Sequence, residues 1–349
     1  MIRRITLRDV AEEAGVSVGA VSLILNGRPN RISEETRQMI LDAAEKLHYV
    51  PNQNARGLVT NRSMLIALII PDIENMFFAS LAHAIENECR MRGYSVIIAN
   101  SNDRRHEEHE LIKHFIARDV DGMLIIPAHE TLSQKNMLQE DLKVVPFPVT
   151  LLDRMVSSGI CDGAGFDNWE GGHIAARCLL EAGHTKLGCI AGGETIANMD
   201  RRKQGFVDAV RDWNAARRSE KATVDAVDGD YRFLSGYAEA DKMIDAHMTG
   251  VFCGNDLMAL GLLRRLHERG LRCPQDMSII GYDNILNRFG LQNEFTTVEQ
   301  DIDLLGREGC NLLFNRMAQS YQGGPWLVES KTVLLEPRLV ENGTVRELD

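Results

Sequence analysis

The sequence predicts an α/β chain: a small all-α head built on a helix-turn-helix, followed by two Rossmann-like, doubly wound lobes. Three observations predict it. Residues 7–26 read as two short helices joined at Gly15, an arrangement that places its second helix in a DNA major groove. From Ser63 onward, apolar runs alternate with amphipathic helical stretches, the pattern of a parallel sheet covered on both faces. Finally, 349 residues exceed one ordinary domain, and roughly ten βα units exceed one sheet. Two lobes with a cleft at the C-terminal ends of their strands is the economical solution.

In the head, Thr6 is placed to cap the first helix, and Asp9 three residues on completes a weak capping box. Leu7, Val10, Ala11 and Ala14 form the inward stripe. Gly15 supplies the reversal, where a Cβ would clash. Ser17 caps the second helix, which buries Ala20, Val21 and Ile24 and stops at Asn26-Gly27. Ser33 caps the third, residues 34 to about 48, with Ile40, Ala43, Ala44 and Leu47 on one face. Pro51 ends the unit. Residues 52–60 could form barely two helical turns, too few to recover the cost of nucleation, and Gly57 costs ~1 kcal/mol more than alanine would. This linker is expected to become a helix only when held.

In the body, the apolar runs are 65–70, 96–99, 122–126 and 149–152, then 163–166, 187–191, 250–253 and 278–281. Between them lie helical patterns at 78–92, 108–117, 170–182, 201–213 and 257–269. The change of lobe is expected near 161–165.

Charge and composition narrow the function classes. The net charge is −11, but residues 1–62 carry nine Lys and Arg against seven Asp and Glu, while the remainder is strongly acidic. An acidic body repels phosphate, so only the head can face DNA. No apolar run reaches the ~18 residues of a membrane helix. The first residues hold no apolar signal core, so a cytoplasmic protein, nucleoid-associated when on DNA, is expected. Seven scattered cysteines without a C-x-x-C pair are expected to be reduced and structural. The ten histidines form no H-E-x-x-H, and Gly192-Gly193 belongs to neither a phosphate loop nor a dinucleotide fingerprint. No catalytic residue, metal ligand or cofactor is expected.

The motifs T-L-R-D-V-A-E-E-A-G-V-S (6–17), V-S-L-I-L-N-G (21–27), I-S-E-E-T-R (32–37) and Y-V-P-N (49–52) closely resemble the lactose-repressor (LacI/GalR) family of bacterial transcription regulators. The body continues the resemblance with I-P-D-I-E-N-M-F-F (70–78), A-G-H-T-K-L (182–187), G-N-D-L-M-A-L-G (254–261), M-S-I-I-G-Y-D-N (277–284) and T-T-V-E-Q-D (296–301). The resemblance implies a DNA-binding head (1–50), a hinge helix (51–62) and a body (63–349) like the periplasmic-binding-protein fold, which binds an effector and forms a homodimer. It implies an N-lobe of about 63–162 and 294–324, and a C-lobe of about 163–293 and 325–340.

Carried over residue by residue, the resemblance puts base contacts at Val18, Gly19 and Leu23. It puts phosphate contacts at Thr6, Ser17 and Ser22, on a pseudo-palindromic double-stranded operator. Positions 19 and 23 are i, i+4 neighbours facing away from Val21 and Ile24, as helix geometry requires. None of the three base-facing side chains can fork to a base, and each such pair forgone gives up ~1–3 kcal/mol of discrimination. The alternative for Val18 and Leu23 is completion of the head's core. Asn52, Ala55, Arg56 and Leu58 match the hinge pattern, with Leu58 as a minor-groove wedge; its alternative is an exposed linker leucine.

The same resemblance places Phe77, Phe78, Asp153, Arg202, Tyr231, Asn255, Asp283 and Gln300 around a small-molecule effector. Their chemistry suits a sugar: amides, carboxylates and guanidinium fork to vicinal hydroxyls, while aromatic rings stack on apolar faces. Met76 stands where relatives carry proline, which implies a freer loop before Phe77. Individually, Asp153 could instead cap a turn and Phe77 could be core. A sugar that releases the protein from DNA is the leading expectation; a purine or nucleoside co-repressor is the runner-up. A solute-binding protein for transport and an α/β enzyme are the other classes. The last residues hold no leucine heptads, so a dimer through the body is expected rather than a tetramer.

Overall fold

Local sequence rules shape the small N-terminal unit almost completely. The computed structural model describes residues 5–26, 31–50, 62–133, 135–154, 161–192, 201–217, 221–291, 295–321 and 329–348. It divides into two units, 1–63 and 64–349. In the first, helices α1 (Leu7–Ala14), α2 (Val18–Leu25) and α3 (Glu34–Lys46) enclose a core of Val10, Ala11, Ala14, Val21, Ile24, Ile40, Ala43 and Ala44. Thr6 and Asp9 form the reciprocal capping box, and Gly15 takes the left-handed conformation at φ 65° that glycine adopts without steric cost. Ser17 and Ser33 accept from the N–H groups of Ala20 and Thr36 as N-caps. Leu47 lies just past the end of α3, half-buried against the same core.

The second unit holds two six-stranded sheets. The first contains β1 (Leu65–Ile70), β2 (Ser95–Asn100), β3 (Gly122–Ile125), β4 (Val149–Leu152), β5 (Asp162–Phe166) and β11 (Thr332–Leu335). Their order is β11-β5-β4-β3-β1-β2, all parallel. The second contains β6 (Lys186–Gly192), β7 (Thr223–Gly229), β8 (Gly250–Cys253), β9 (Ser278–Asp283), β10 (Thr296–Glu299) and β12 (Arg338–Val340), in the order β12-β10-β9-β8-β6-β7. Here only β12 runs antiparallel.

Alternation along each strand feeds two helical layers. In the first sheet, Ile66, Leu68, Ile70 and Leu124 pack toward the helices Met76–Met91 and Ile302–Tyr321. Ala67, Ile69, Met123 and Ile125 face the opposite side, with Ile112, Phe115 and Leu138. In the second, Ile190, Val251 and Ile279 meet the helices Phe233–Asp245 and Asp256–Glu268, while Leu187, Cys189, Phe252 and Tyr282 meet Asn168–Glu181 and Arg201–Ala215. Burial on both faces is what continuous apolar strands require. All seven cysteines are free thiols.

The lobe boundaries differ from the sequence expectation. Residues 163–166, expected in the C-lobe, pair with β4 and β11 in the first sheet. Residues 296–299, expected in the N-lobe, pair with β9 in the second. Residues 332–335 belong to the first sheet, not the C-lobe, although 338–340 do lie in the second. The chain crosses after β5, again between β10 and β11, and a third time between β11 and β12. Hydrogen-bond pairing between distant strands decides this, and local hydrophobicity carries no record of it. The helix expected from 78 begins at Met76, and Asn75 caps it by accepting from Phe77 N–H. The side chain of Asn75 therefore anchors the turn that a proline would otherwise have stiffened.

Candidate functional site

In the head, α2 carries the residues expected to meet DNA. Val18 is 42% exposed, and Ser17 and Gly19 are exposed beside it, while Leu23 and Ser22 are half-buried. A Cβ built on Gly19 would meet nothing closer than Ser17 Oγ at 3.8 Å, so the fold of the head places no demand for glycine there. Thr6 and Ser17 are already committed: the Thr6 hydroxyl donates to Asp9 Oδ2 at 2.7 Å, and Ser17 Oγ accepts from Ala20 N–H. Ser17 keeps its proton for an acceptor such as a phosphate oxygen. Ser22 Oγ lies 3.2 Å from Asn26 Nδ2. The hinge positions Asn52, Ala55, Arg56 and Leu58 lie outside the described residues.

In the body, all eight candidate ligand residues lie where parallel strands end. Asp153, Tyr231, Asn255 and Gln300 follow β4, β7, β8 and β10, and Asp283 closes β9. Phe77, Phe78 and Arg202 open helices that follow β1 and β6. Asp153 (φ 59°), Tyr231 (φ 63°) and Asp283 (φ 93°) have backbone conformations rare for residues with side chains. Strain of this kind, costing ~1–3 kcal/mol per residue, concentrates at functional sites.

Arg202 is the centre of the constellation. Its Nε donates to Asn168 Oδ1 at 2.7 Å, and its Nη1 donates to the carbonyl of Gly254 at 2.6 Å. The same Nη1 is 3.5 Å from Asp283 Oδ1, which accepts from Gln300 Nε2 at 2.8 Å. The guanidinium sits 3.8 Å from the centroid of the Tyr282 ring and 5.7 Å from that of Tyr231. Burial raises the Asp283 carboxyl to about 6, with Asp153's charge adding to the rise and Arg202 and Gln300 opposing it. Burial likewise pushes Asp153 up against the pull of Arg202 and Arg154. Asn255 works indirectly: its Oδ1 caps the helix at Met258 N–H, and its Nδ2 donates to the carbonyl of Tyr231.

Phe77 and Phe78 are each 4% exposed and pack edge to face at 5.4 Å. The Arg154 guanidinium lies 5.2 Å from the centroid of the Phe78 ring and pairs with Asp103. Burial alone would raise Asp103; Arg154 and the His129 N–H more than offset it and hold the carboxyl below its ordinary value. The rims of the two sheets approach here: Arg232 Nη2 donates to Asp72 Oδ2 at 3.0 Å, and the rings of His129 and Tyr231 are 6.1 Å apart.

Sequence reasoning missed Asn168, Tyr282, Arg154 and Asp103. One signal was available, since Gly171-Gly172 sits inside a helix, where each glycine costs ~1 kcal/mol unless close approach requires it. Cβ atoms built there would lie 2.1 Å from the Tyr282 hydroxyl and 1.9 Å from the carbonyl oxygen of Arg202. The two glycines thus seat both the ring under Arg202 and the helix that carries it. Among the described residues, no His, Cys, Asp and Glu group could hold a metal ion, and no helix is long and apolar enough to cross a membrane.

Comparison with known proteins adds independent observations. Residues 6–52 match the bacterial regulatory proteins of the lacI family, and residues 176–345 match a periplasmic binding protein-like domain. The chain is 32% identical over 345 residues to the HTH-type transcriptional repressor PurR of Yersinia enterocolitica, covering 98% of each chain. Among solved structures, it is similar to the lac repressor dimer bound to operator and the anti-inducer ONPF: 26% identity, TM-score 0.83, covering 99% of this chain and 100% of that one. It is also similar to the transcriptional regulator CelR in complex with cellobiose: 27% identity, TM-score 0.68, covering 98% of this chain and 100% of that one.

Proposed function

Because this chain belongs to the lacI family of bacterial regulatory proteins, we propose that it represses carbohydrate-utilisation genes and is released from DNA by a sugar. It is a ligand-responsive transcriptional repressor, a dimer that binds operator DNA through the helical head. The observation that carries the sugar reading is the Asp283–Arg202–Gln300 cluster, floored by Tyr231 and Tyr282 and flanked by Asp153. Forked polar groups beside aromatic faces suit a ring with vicinal hydroxyls.

The mechanism is linkage. A ligand bridging groups from both sheets changes how the lobes sit, and the dimer transmits this to the hinges bearing Leu58. A coupling of ~1–3 kcal/mol changes operator affinity ~5–150-fold, and operator changes ligand affinity by the same factor. The reading needs no catalytic step and no cofactor, and DNA binding puts the protein in the cytoplasm. A second reading has its own support: the PurR relatives favour a purine or nucleoside that tightens DNA binding.

The test is a thermal-shift screen of mono- and disaccharides alongside hypoxanthine, guanine and nucleosides. It is followed by binding to palindromic DNA that the protein selects from a random pool. Ligand binding to the native state must raise Tm. A sugar that raises Tm and weakens DNA binding supports the first reading. A purine that raises Tm and tightens DNA binding replaces it with the second.

A further inference from the structure

The polar groups of the ligand site are unequally satisfied. Each arginine there already faces an anion: Arg202 faces Asp283, Arg154 faces Asp103, and Arg232 faces Asp72. Two of the three also lie over aromatic rings, Arg202 over Tyr282 and Arg154 over Phe78. Two side-chain acceptors are left over. Asp153 Oδ1 and Gln300 Oε1 are buried with no hydrogen-bond partner. The Gln300 side chain is 2% exposed, and its amide orientation is set by Asp283, which can only accept and therefore takes the Nε2 end. Buried acceptors left bare are costly and rare.

We propose that this site takes an uncharged or cationic ligand that donates hydrogen bonds to Asp153 Oδ1 and Gln300 Oε1, and that it rejects phosphate esters. The proposal rests on the effector site described above, but not on the effector being a sugar. A hydroxyl, an amine or a ring N–H satisfies both acceptors. A phosphate group offers acceptor oxygens and brings negative charge toward two buried carboxylates, where each described arginine already faces an anion. Its binding is weaker than that of the neutral parent by ~100-fold or more.

The test has a ligand arm and a ligand-free arm, both on the full chain. The first compares Tm shifts for glucose, trehalose, glucosamine, hypoxanthine and guanine with those for glucose 6-phosphate and trehalose 6-phosphate. The second compares the wild-type protein with Asp153→Asn, which keeps the shape of the side chain and its tolerance of positive φ. A neutral or cationic compound is expected to raise Tm by ~5 °C at saturation, its phosphate ester is not, and Asp153→Asn is expected to abolish the shift. Unliganded Asp153→Asn is expected to melt ~2–4 °C above wild type, because a buried charge without a donor is removed. A phosphate ester that raises Tm as much as its parent overturns the proposal while leaving the sugar reading intact. A purine base that acts where sugars do not sinks the sugar reading and supports the proposal. Should no compound act, the ligand-free arm decides: a Tm for Asp153→Asn at or below wild type overturns it.

Discussion

Replacing Gly172 with alanine tests how the guanidinium of Arg202 is held in place. The helices Asn168–Glu181 and Arg201–Ala215 touch backbone to backbone: a Cβ on Gly172 would lie 1.9 Å from Arg202 O, and one on Gly205 would lie 1.9 Å from Trp169 O. Carbon and carbonyl oxygen settle at ~3.3 Å, so the second helix must retreat by ~1.4 Å. The bonds from Arg202 to Asn168 and Gly254, now 2.7 and 2.6 Å, would stretch toward ~4 Å, beyond hydrogen-bond range. Overpacking costs ~1–3 kcal/mol, offset by ~1 kcal/mol of better helix propensity, for a net loss of up to ~2 kcal/mol. Loss of even one charged hydrogen bond, worth ~1.5–3 kcal/mol, weakens ligand binding ~10-fold or more. Urea unfolding of the whole chain and the ligand-induced Tm shift measure the two effects. Wild-type values for both in Gly172→Ala would refute the claim that glycine contact positions Arg202.

The same substitution at Gly19 should act in the opposite direction: with an open surface around it, alanine stabilises α2 by ~0.5–1 kcal/mol, read as slower hydrogen exchange in head peptides. Thr6→Ala removes the hydroxyl's bonds in the capping box and leaves the residue-6 N–H donating to Asp9; it should destabilise the head by ~1 kcal/mol, speeding exchange in α1 while leaving body peptides unchanged. Asp256 is 1% exposed and raised to about 7 by burial first and the Asp283 charge second, against bonds from Thr297, Ile285 and Leu286. A folded pKa above the unfolded value gives stability that is complete below the unfolded pKa and is lost as pH rises through the folded one. The wild-type Tm should therefore fall by ~3 °C between pH 5.5 and 8. Asp256→Asn, whose amide can still serve Thr297 and both N–H groups, should flatten that slope, and an equally steep fall in the variant would refute the assignment.

Features that depend on near neighbours are written in local spacing. The capping of α1 by Thr6 and Asp9, the left-handed turn at Gly15 and the inward stripe Val10–Ala11–Ala14 follow from spacings of three and four residues, so they were legible. The eight apolar runs were legible too, because a strand buried on both faces cannot hide its composition. Candidate ligand residues could be named because the motifs that hold them resemble those of the lacI family, although their partners could not. Long-range packing, by contrast, sets Asp162–Phe166 in the first sheet and Thr296–Glu299 in the second, and rests Arg202 on Tyr282 with a bond to Asn168. Strand pairing and side-chain contacts across 30 or more residues depend on where the chain returns in space. Their energy comes from complementary surfaces that no single segment contains.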